Sequence, residues 1–186
     1  MSSTTNTHDA RRSLRLAILG NSGSGKSTLA RWFAARFRTA YLDLDVLAWK
    51  PTTPPERRST DEVRGEIDAF CRENERWVVE GCYGDLVQVA LAHGPRLVFL
   101  EPGVDVCLEN CRARPFEPHK YATREEQDAN LEMLQAWVRD YASRDGDLSL
   151  AGHRACFDGY SGSKVELRER AVMDATLEAL LVDMGR

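Results

Sequence analysis

The sequence predicts an α/β fold in which a parallel β-sheet is covered by helices on both faces. Short apolar segments alternate with helical segments along most of the 186 residues, which is typical of parallel sheets. A glycine-rich turn at Gly20–Ser27 joins the first apolar segment directly to a helix. With 42% hydrophobic and 29% charged residues, the chain has globular composition and is long enough to bury the core of one domain.

Four short runs rich in apolar residues are predicted to form buried strands. They are Leu14–Leu19, Thr39–Leu44, Trp77–Glu80 and Leu97–Leu100. A fifth strand is expected at either His153–Phe157 or Lys164–Leu167, because periodicity does not distinguish these two segments.

Six segments are predicted to be helical from apolar spacing and from capping signals. They are Lys26–Phe37, Thr60–Glu75, Asp85–Ala92, Val104–Arg114, Glu125–Ala142 and Glu169–Asp183. Ser59 followed by Glu62 is a capping-box signature for the second of them. Leu131, Leu134 and Val138 place one apolar stripe on the fifth.

Composition limits the expected location and partners. Residues 1–13 are polar and lack the apolar centre of a signal peptide, so we expect a disordered leader ahead of one domain at residues 14–186. The five scattered cysteines indicate buried thiols in a reducing cytoplasm rather than disulfides. No apolar run is long enough for a transmembrane helix. The net charge of −4 lacks the basic excess typical of nucleic-acid binding, so neither a membrane nor a nucleic acid is expected as a partner.

The turn at Gly20–Ser27 reads Gly-Asn-Ser-Gly-Ser-Gly-Lys-Ser and fits the pattern GxxxxGK[ST]. Its glycines allow backbone N–H groups to surround phosphate oxygens, and the following helix adds the positive end of its dipole. Lys26 can reach the β- and γ-phosphates, and the Ser27 hydroxyl can bind Mg²⁺. We therefore expect ATP and Mg²⁺, with the nucleotide held by Asn21, Ser22, Gly23, Ser24, Gly25, Lys26, Ser27 and Thr28.

Other classes of nucleotide-binding protein fit the sequence less well. The DxxG and NKxD motifs of GTPases are absent from it. Motor and AAA-type proteins usually need a longer chain and a pair of acidic residues after a hydrophobic strand. At this length the small kinases are the natural group.

Three segments, Gly20–Ala30, Leu42–Pro51 and Trp77–Gly84, together resemble the adenylate kinase and shikimate kinase group. Within it the chain is most similar to small bacterial proteins called shikimate kinase-like or DNA topology modulation kinase-like, whose stretch LDxLxWKP is matched by residues 44–51. The resemblance implies a three-layer P-loop NTPase fold with a five-stranded parallel sheet in the order 2-3-1-4-5. It also implies a helical lid, which we place at about residues 112–124.

Acidic residues follow two of the predicted strands. Asp43 and Asp45 are two residues apart at a strand end, so both are expected on one face of the sheet, beside the site where ligands of α/β proteins gather. The resemblance implies that Asp43 lies near Mg²⁺ and that Asp45 orients or deprotonates the acceptor hydroxyl. Glu80 takes the place of the Asp in the adenylate kinase run DGFPR, and is therefore implied to hold the Mg²⁺ water shell. The Pro-Arg pair of that run does not follow Gly81, which argues against a nucleoside monophosphate as acceptor.

Basic residues are needed to neutralise the phosphates during transfer. Arg112 and Arg114 lie where the lid should begin and are the main candidates, Arg114 ahead of Arg112. Lys120 and Arg124 follow them. Each of these side chains could equally be solvated on the surface.

The acceptor is expected to contact Asp45, Gly81 and two aromatic residues, Trp49 and Tyr83, each of which follows a proposed site residue. Both aromatic residues could instead belong to the core. Arg57, Arg58 or Arg64 could replace the missing arginine and bind an acceptor phosphate. The segment at residues 159–164 is either a loop on the adenine side, after the fifth strand, or an ordinary linker.

Three hypotheses follow for the function. The first is an ATP- and Mg²⁺-dependent phosphotransferase acting on the hydroxyl of a small-molecule acceptor, as a monomer or homodimer. The second is a kinase for nucleosides or nucleoside monophosphates. The third is a regulatory module that binds ATP without transferring phosphate, against which the carboxylates at the strand ends argue.

Overall fold

A parallel sheet of five strands forms the centre of the computed structural model, which describes residues 14–52, 54–117 and 121–168. The strand order is β2-β3-β1-β4-β5, which confirms the order that the resemblance implied. The strands are β1 (Arg15–Gly20), β2 (Ala40–Asp43), β3 (Trp77–Gly81), β4 (Arg96–Leu100) and β5 (Lys164–Leu167).

Eight α-helices lie within the described ranges, and the first four predicted helices are confirmed with ends that differ by at most two residues. The helices are α1 (Lys26–Phe37), α2 (Asp45–Ala48), α3 (Thr60–Glu73), α4 (Gly84–Leu91), α5 (Val104–Arg112), α6 (Arg124–Ala129), α7 (Leu131–Arg139) and α8 (Leu150–Gly159). The capping box at the start of α3 is confirmed, since Ser59 N donates to Glu62 Oε2 at 2.7 Å and Glu62 N donates to Ser59 Oγ at 3.4 Å.

The predicted long helix at Glu125–Ala142 is wrong, because the chain breaks it at Asn130. There α6 ends and α7 begins, and a short 3₁₀ turn at Asp140–Ala142 follows. The Asn130 side-chain amide donates to the Glu126 carbonyl oxygen at 2.9 Å. The Asn130 backbone N–H donates to the same oxygen at 3.2 Å, and Leu134 N donates to the Asn130 carbonyl oxygen at 3.0 Å, so the interruption is confined to this one residue.

Of the two segments expected for the fifth strand, Lys164–Leu167 forms it and pairs with β4. His153–Phe157 lies inside α8. Ser149 Oγ accepts a hydrogen bond from Gly152 N at 2.9 Å and so caps this helix. The segment at 159–164 leads into β5 and therefore lies at the amino-terminal ends of the parallel strands, whereas the phosphate-binding loop follows the carboxyl end of β1. Its interpretation as an adenine-side loop after the fifth strand is wrong. The expected leader at residues 1–13 and helix at Glu169–Asp183 lie outside the described residues.

Each face of the sheet buries its own apolar cluster. On one face α1 packs Leu29 and Phe33 against alternate residues of the central strands, including Ile18 of β1. On the other face α3, α4 and α8 pack against the remaining residues of the same strands, such as Leu19 and Val79. This two-sided burial explains why the central strands read as continuous apolar runs.

All five cysteines are free thiols, four of them buried and Cys82 half-buried, as expected. Within the described ranges, no helix has the length and apolar character needed to cross a bilayer.

Candidate active site

The phosphate-binding loop, Gly20–Ser27, lies between the carboxyl end of β1 and the first turn of α1. Gly23 and Gly25 have φ angles of 79° and 97°, which residues with a Cβ rarely adopt. Lys26 Nζ is largely buried and donates to the Asn21 carbonyl oxygen at 2.8 Å. The positive end of α1 and a buried ammonium group therefore lie close together, which fits the phosphates of a nucleotide.

Helix α5 supports this loop from outside. A Cβ on Gly23 would lie 2.3 Å from the Cys107 carbonyl oxygen, so only glycine allows the two backbones to approach so closely. Asn110 Nδ2 donates to the Gly23 carbonyl oxygen at 2.8 Å. Within the loop, Ser24 Oγ is buried and has no hydrogen-bond partner among the described residues, so a bound anion could supply one.

Asn21 fixes the loop through its side chain. Its Nδ2 donates to the Val138 carbonyl oxygen at 3.2 Å, and its Oδ1 accepts from Ser22 N at 2.9 Å and from Arg144 Nη2 at 3.4 Å. The Arg144 guanidinium stacks 3.8 Å from the centre of the Trp137 ring. Partial burial lowers the pKa of Arg144. Asn21 thus ties the loop to α7 and does not line the cavity described below.

Glu80, the penultimate residue of β3, is buried with its carboxylate held by Tyr41 of β2. Tyr41 Oη donates to Glu80 Oε1 at 2.9 Å. Burial and the neighbouring carboxylates raise the pKa of Tyr41 far above its usual value, so its hydroxyl stays protonated and remains a donor. Asp43 lies opposite Glu80 in the strand register. Two carboxylates are thus neighbours at the carboxyl end of the sheet.

The expectation that Asp43 and Asp45 share one face of a strand is wrong. β2 ends at Asp43, and Asp45 is the first residue of α2. Asp43 Oδ1 accepts a hydrogen bond from Asp45 N at 2.9 Å, a side-chain contact that favours a turn over a continued strand. This turn places Asp45, but not Asp43, on the cavity wall.

Two aromatic side chains hold the Asp45 carboxylate in place. Tyr83 Oη donates to Asp45 Oδ1 at 2.7 Å and accepts from Trp49 Nε1 at 2.8 Å. Burial, the Cys82 thiol and the Asp45 charge raise the pKa of Tyr83, so the phenol stays protonated at neutral pH and donates a hydrogen bond to Asp45. The chain Trp49–Tyr83–Asp45 thus has a fixed direction of donation.

A cavity of about 610 Å³ joins the loop to these carboxylates. Its size is in the range of small-molecule sites. Among the residues named from the sequence, those lining it are Ser22, Gly23, Ser24, Gly25, Lys26, Ser27, Thr28, Asp45, Glu80, Gly81 and Arg114.

The other named residues lie outside the cavity lining. Trp49 and Tyr83 do not line the cavity, and Tyr83 reaches it only through its hydrogen bond to Asp45. Arg64 is exposed on α3, 4.0 Å from Asp61. Arg112, at the end of α5, is exposed and borders a second, smaller cavity together with Arg114.

Arg114 lies at the described start of the predicted lid. Its Nη1 is 3.3 Å from Glu117 Oε2, and both residues line the cavity together with Phe116. Arg114 thus lines the same cavity as the phosphate-binding loop.

His153 contacts Cys82, a residue of the cavity lining, from the protein core. Its Nε2 donates to the Cys82 carbonyl oxygen at 2.7 Å, and its Nδ1 accepts from Tyr141 Oη at 2.6 Å; a carbonyl can only accept, which fixes the tautomer. His153 is completely buried. Burial lowers its pKa to about 4, so the folded protein holds a neutral imidazole.

The free energy of unfolding is expected to fall as the pH decreases from about 6.5 towards about 4, because the unfolded chain binds a proton on His153 in this window and the folded chain does not. The loss is at most on the order of 3 kcal/mol. Urea unfolding at about pH 7 and about pH 5 measures it. The variant His153→Gln should lose most of this pH dependence; an equal dependence in both proteins would contradict the assignment.

Several residues of the site are not evident from motifs. Tyr41 sits in an ordinary strand pattern, and only the register that pairs β2 with β3 brings it to Glu80. Arg31 lines the cavity one helical turn after Ser27, a spacing that could have signalled it. Arg144 lies in a segment whose helices the sequence did not resolve.

Comparison with known proteins identifies the fold. No family model matches the chain, and no curated protein matches its sequence. A shikimate kinase from Acinetobacter baumannii, solved in complex with shikimate, has 15% identity and a TM-score of 0.52, over 96% of this chain and 97% of that one. A gluconokinase from Sinorhizobium meliloti has 17% identity and a TM-score of 0.50, over 94% of both chains.

A sugar kinase from a Janibacter species has 11% identity and a TM-score of 0.50, over 91% of this chain and 93% of that one. The chain therefore has the fold of P-loop small-molecule kinases of the shikimate kinase-like group, as its sequence motifs indicated.

Proposed function

We propose that the protein is an ATP- and Mg²⁺-dependent phosphotransferase that acts on a hydroxyl group of a small molecule. One observation carries the proposal: the buried ammonium of Lys26 and the carboxylate of Asp45 face the same 610 Å³ cavity. A module that only binds nucleotide needs the first group but not the second. The fold shared with a shikimate kinase, a gluconokinase and a sugar kinase supports the same reaction class.

The nucleotide phosphates are held by Lys26 and by the N-terminus of α1. Mg²⁺ fits this site because Ser27 and Glu80 both line the cavity. Among the described residues, no group of three or more His, Cys, Asp or Glu side chains could hold a metal alone. We therefore propose that the nucleotide phosphates supply further ligands to the ion and that Asp43 lies in its outer coordination sphere. When bound, Mg²⁺ neutralises charge on the transferred phosphoryl group.

The acceptor hydroxyl is oriented by Asp45. As the acceptor oxygen bonds to the γ-phosphorus, the bond from that phosphorus to the bridging oxygen breaks and ADP leaves. The hydroxyl proton passes to the Asp45 carboxylate. Tyr83 fixes the orientation of this carboxylate, and Arg114 offsets the negative charge spread over the phosphoryl oxygens.

Phosphorus NMR of ATP, Mg²⁺ and pooled metabolites tests this function. The expected result is a new phosphomonoester signal that grows with ADP and is missing when Lys26→Ala replaces the wild-type protein. ADP accompanied only by inorganic phosphate, across a thorough range of acceptors, would favour an ATP-binding regulatory module instead.

Tyr83→Phe is expected to lower kcat about tenfold while leaving the KM for ATP within about twofold. The variant removes the hydrogen bond that orients Asp45 but leaves the phosphate-binding loop intact. Steady-state kinetics at saturating acceptor measures both constants. Tyr160→Phe is the matched control, because the Tyr160 hydroxyl donates to the Pro95 carbonyl oxygen outside the cavity lining and the lid, and it should match the wild type. An unchanged kcat in Tyr83→Phe would contradict the positioning role.

Glu80→Gln is expected to raise the Mg²⁺ concentration needed for half-maximal activity about tenfold. The amide keeps the contact with Tyr41 but loses the charge that attracts the ion and its water shell. Titration of activity with Mg²⁺ at fixed ATP measures this concentration, and Glu109→Gln, exposed on α5, serves as the control. An identical Mg²⁺ dependence in Glu80→Gln and the wild type would remove Glu80 from the metal site.

A further inference from the structure

We propose that Gln127 of α6 is a positioning residue, which holds the segment that carries Arg114 in place beside the phosphate-binding loop. The inference rests on the proposed function, in which Arg114 offsets the charge of the transferred phosphoryl group. It adds a residue outside the lining of the main cavity to the groups on which nucleotide binding depends.

Five consecutive residues, 113–117, line the main cavity. They follow the end of α5, and residues 114–117 belong to neither a helix nor a strand. Arg114 N donates to the Cys111 carbonyl oxygen over a long 3.4 Å, and Pro115 has no N–H group to donate. Phe116 is exposed, so its ring adds little apolar burial. Contacts from outside the segment are therefore needed to fix its position.

Gln127 supplies two such contacts, one from each end of its side-chain amide. Its Oε1 accepts a hydrogen bond from Glu117 N at 2.8 Å, and its Nε2 donates to the Pro115 carbonyl oxygen at 3.1 Å. Only one orientation of the amide satisfies both groups, because a backbone N–H donates and a carbonyl accepts. The two hydrogen bonds flank Phe116 and so fix the backbone on both sides of it.

The other side-chain contacts of α6 are local. The helix buries none of its side chains. Thr123 Oγ1 accepts a hydrogen bond from Glu126 N at 3.2 Å, and Arg124 Nε is 3.0 Å from Asp128 Oδ1. Among the described residues, Gln127 is the side chain through which α6 forms hydrogen bonds with the segment at 113–117.

The contacts of Gln127 lie next to Arg114. Pro115 follows Arg114 directly, and Glu117 Oε2 is 3.3 Å from Arg114 Nη1. Arg114 lines both the main cavity and the smaller one. Gln127 lines only the smaller cavity, so it holds the segment from outside the main cavity.

Arg114 is also close to the phosphate-binding loop. A Cβ on Gly23 would lie 2.8 Å from Cys111 Sγ, so Cys111 packs against the loop. Burial raises the pKa of the Cys111 thiol, and the charges of Arg114 and Lys26 oppose this shift. The two cations therefore lie near the same thiol. A guanidinium has five N–H donors, so pairing with Glu117 through Nη1 leaves donors for a phosphate.

Ordering this segment in advance favours nucleotide binding. If the segment moved freely, its backbone would have to be ordered each time Arg114 bound a phosphate, which costs conformational entropy. The two hydrogen bonds of Gln127 order it before ATP binds. Their removal should weaken ATP binding although Gln127 itself does not line the main cavity.

Isothermal titration calorimetry with ATP and Mg²⁺ tests the inference through a double-mutant cycle of Gln127→Ala and Arg114→Ala. Each variant alone is expected to raise the Kd for ATP, Gln127→Ala about fivefold and Arg114→Ala about twentyfold. In the Arg114→Ala background, Gln127→Ala should change the Kd less than about twofold, because Gln127 acts through Arg114. A general loss of stability would not produce this coupling.

Gln135→Ala is the matched control. Gln135 is half-buried, like Gln127, and its Oε1 accepts a hydrogen bond from Arg139 Nη2 at 3.2 Å within α7. This variant should leave the Kd unchanged. Equal Kd values for Gln127→Ala and the wild type would overturn the inference. A full effect of Gln127→Ala in the Arg114→Ala background would overturn it as well.

Alanine favours a helix, so Gln127→Ala is expected to fold. Gln127→Met is a second variant, which keeps the length of the side chain without either hydrogen bond and should give the same coupling. If ATP binds but no acceptor yields a phosphomonoester, the proposed transfer is contradicted, and the cycle still decides the role of Gln127. If the wild type does not bind ATP, both proposals are contradicted.

Discussion

Lys26→Ala is expected to lower the rate of phosphate transfer about a thousandfold. Lys26 is the only described lysine on the cavity lining, and its ammonium is largely buried at the N-terminus of α1. Its removal takes away a positive charge in a site of low dielectric constant, where each charge interacts more strongly than in water. Steady-state kinetics and ATP titration measure the loss of transfer and of affinity.

Arg36→Ala is the matched control for this variant, since Arg36 lies on the same helix but is exposed in its last turn. It should retain wild-type activity. Both variants place alanine in α1, which favours the helix, so both are expected to fold. Transfer by Lys26→Ala within about tenfold of the wild type would show that the phosphates bind elsewhere.

Asp45→Asn is expected to lower transfer at least about a hundredfold, while the Kd for ATP changes less than about threefold. The amide oxygen can still accept the hydrogen bond from Tyr83, so the geometry is kept. The variant loses the negative charge that orients the acceptor hydroxyl and receives its proton. This separation of transfer from binding distinguishes Asp45 from Lys26.

Asp61→Asn, exposed at the start of α3, controls for the general effect of removing a carboxylate. It should leave both constants unchanged. Full transfer activity in Asp45→Asn would remove Asp45 from the acceptor site, whatever the effect of Lys26→Ala.

Local signals were sufficient for most of the fold. The apolar runs that become β1, β3 and β4 are buried on both faces, so their composition alone predicts strands. The Ser59–Glu62 capping box predicts the start of α3 because both of its hydrogen bonds are local. The strand order, in contrast, came from a resemblance, since no local signal specifies which strands are neighbours.

Predictions failed at two changes of backbone direction. The helix expected over Glu125–Ala142 is interrupted at Asn130, although its apolar stripe continues through α7 and the backbone hydrogen bonds at Asn130 are kept. Asp43 accepts a hydrogen bond from the backbone of Asp45 where β2 gives way to α2. Periodicity does not report a local side-chain contact of this kind.

The phosphate end of the site was more predictable than the acceptor end. The loop residues are contiguous, and their spacing encodes the site directly. The acceptor end is assembled from α2, β3, the segment before α3 and the start of α4. The Trp49–Tyr83–Asp45 chain joins residues 34 and 38 positions apart, so only the tertiary structure reveals it.

The ratio of phosphomonoester to ADP, followed by phosphorus NMR in one reaction with a small-molecule acceptor that carries a hydroxyl group, tests the central claim most directly. If Lys26 and Asp45 act on one ATP and one acceptor in a shared cavity, the ratio is expected to be close to one. It should fall sharply in Asp45→Asn while that variant still binds ATP. A wild-type reaction in which inorganic phosphate matches ADP throughout, with no phosphomonoester from any acceptor, would contradict the claim.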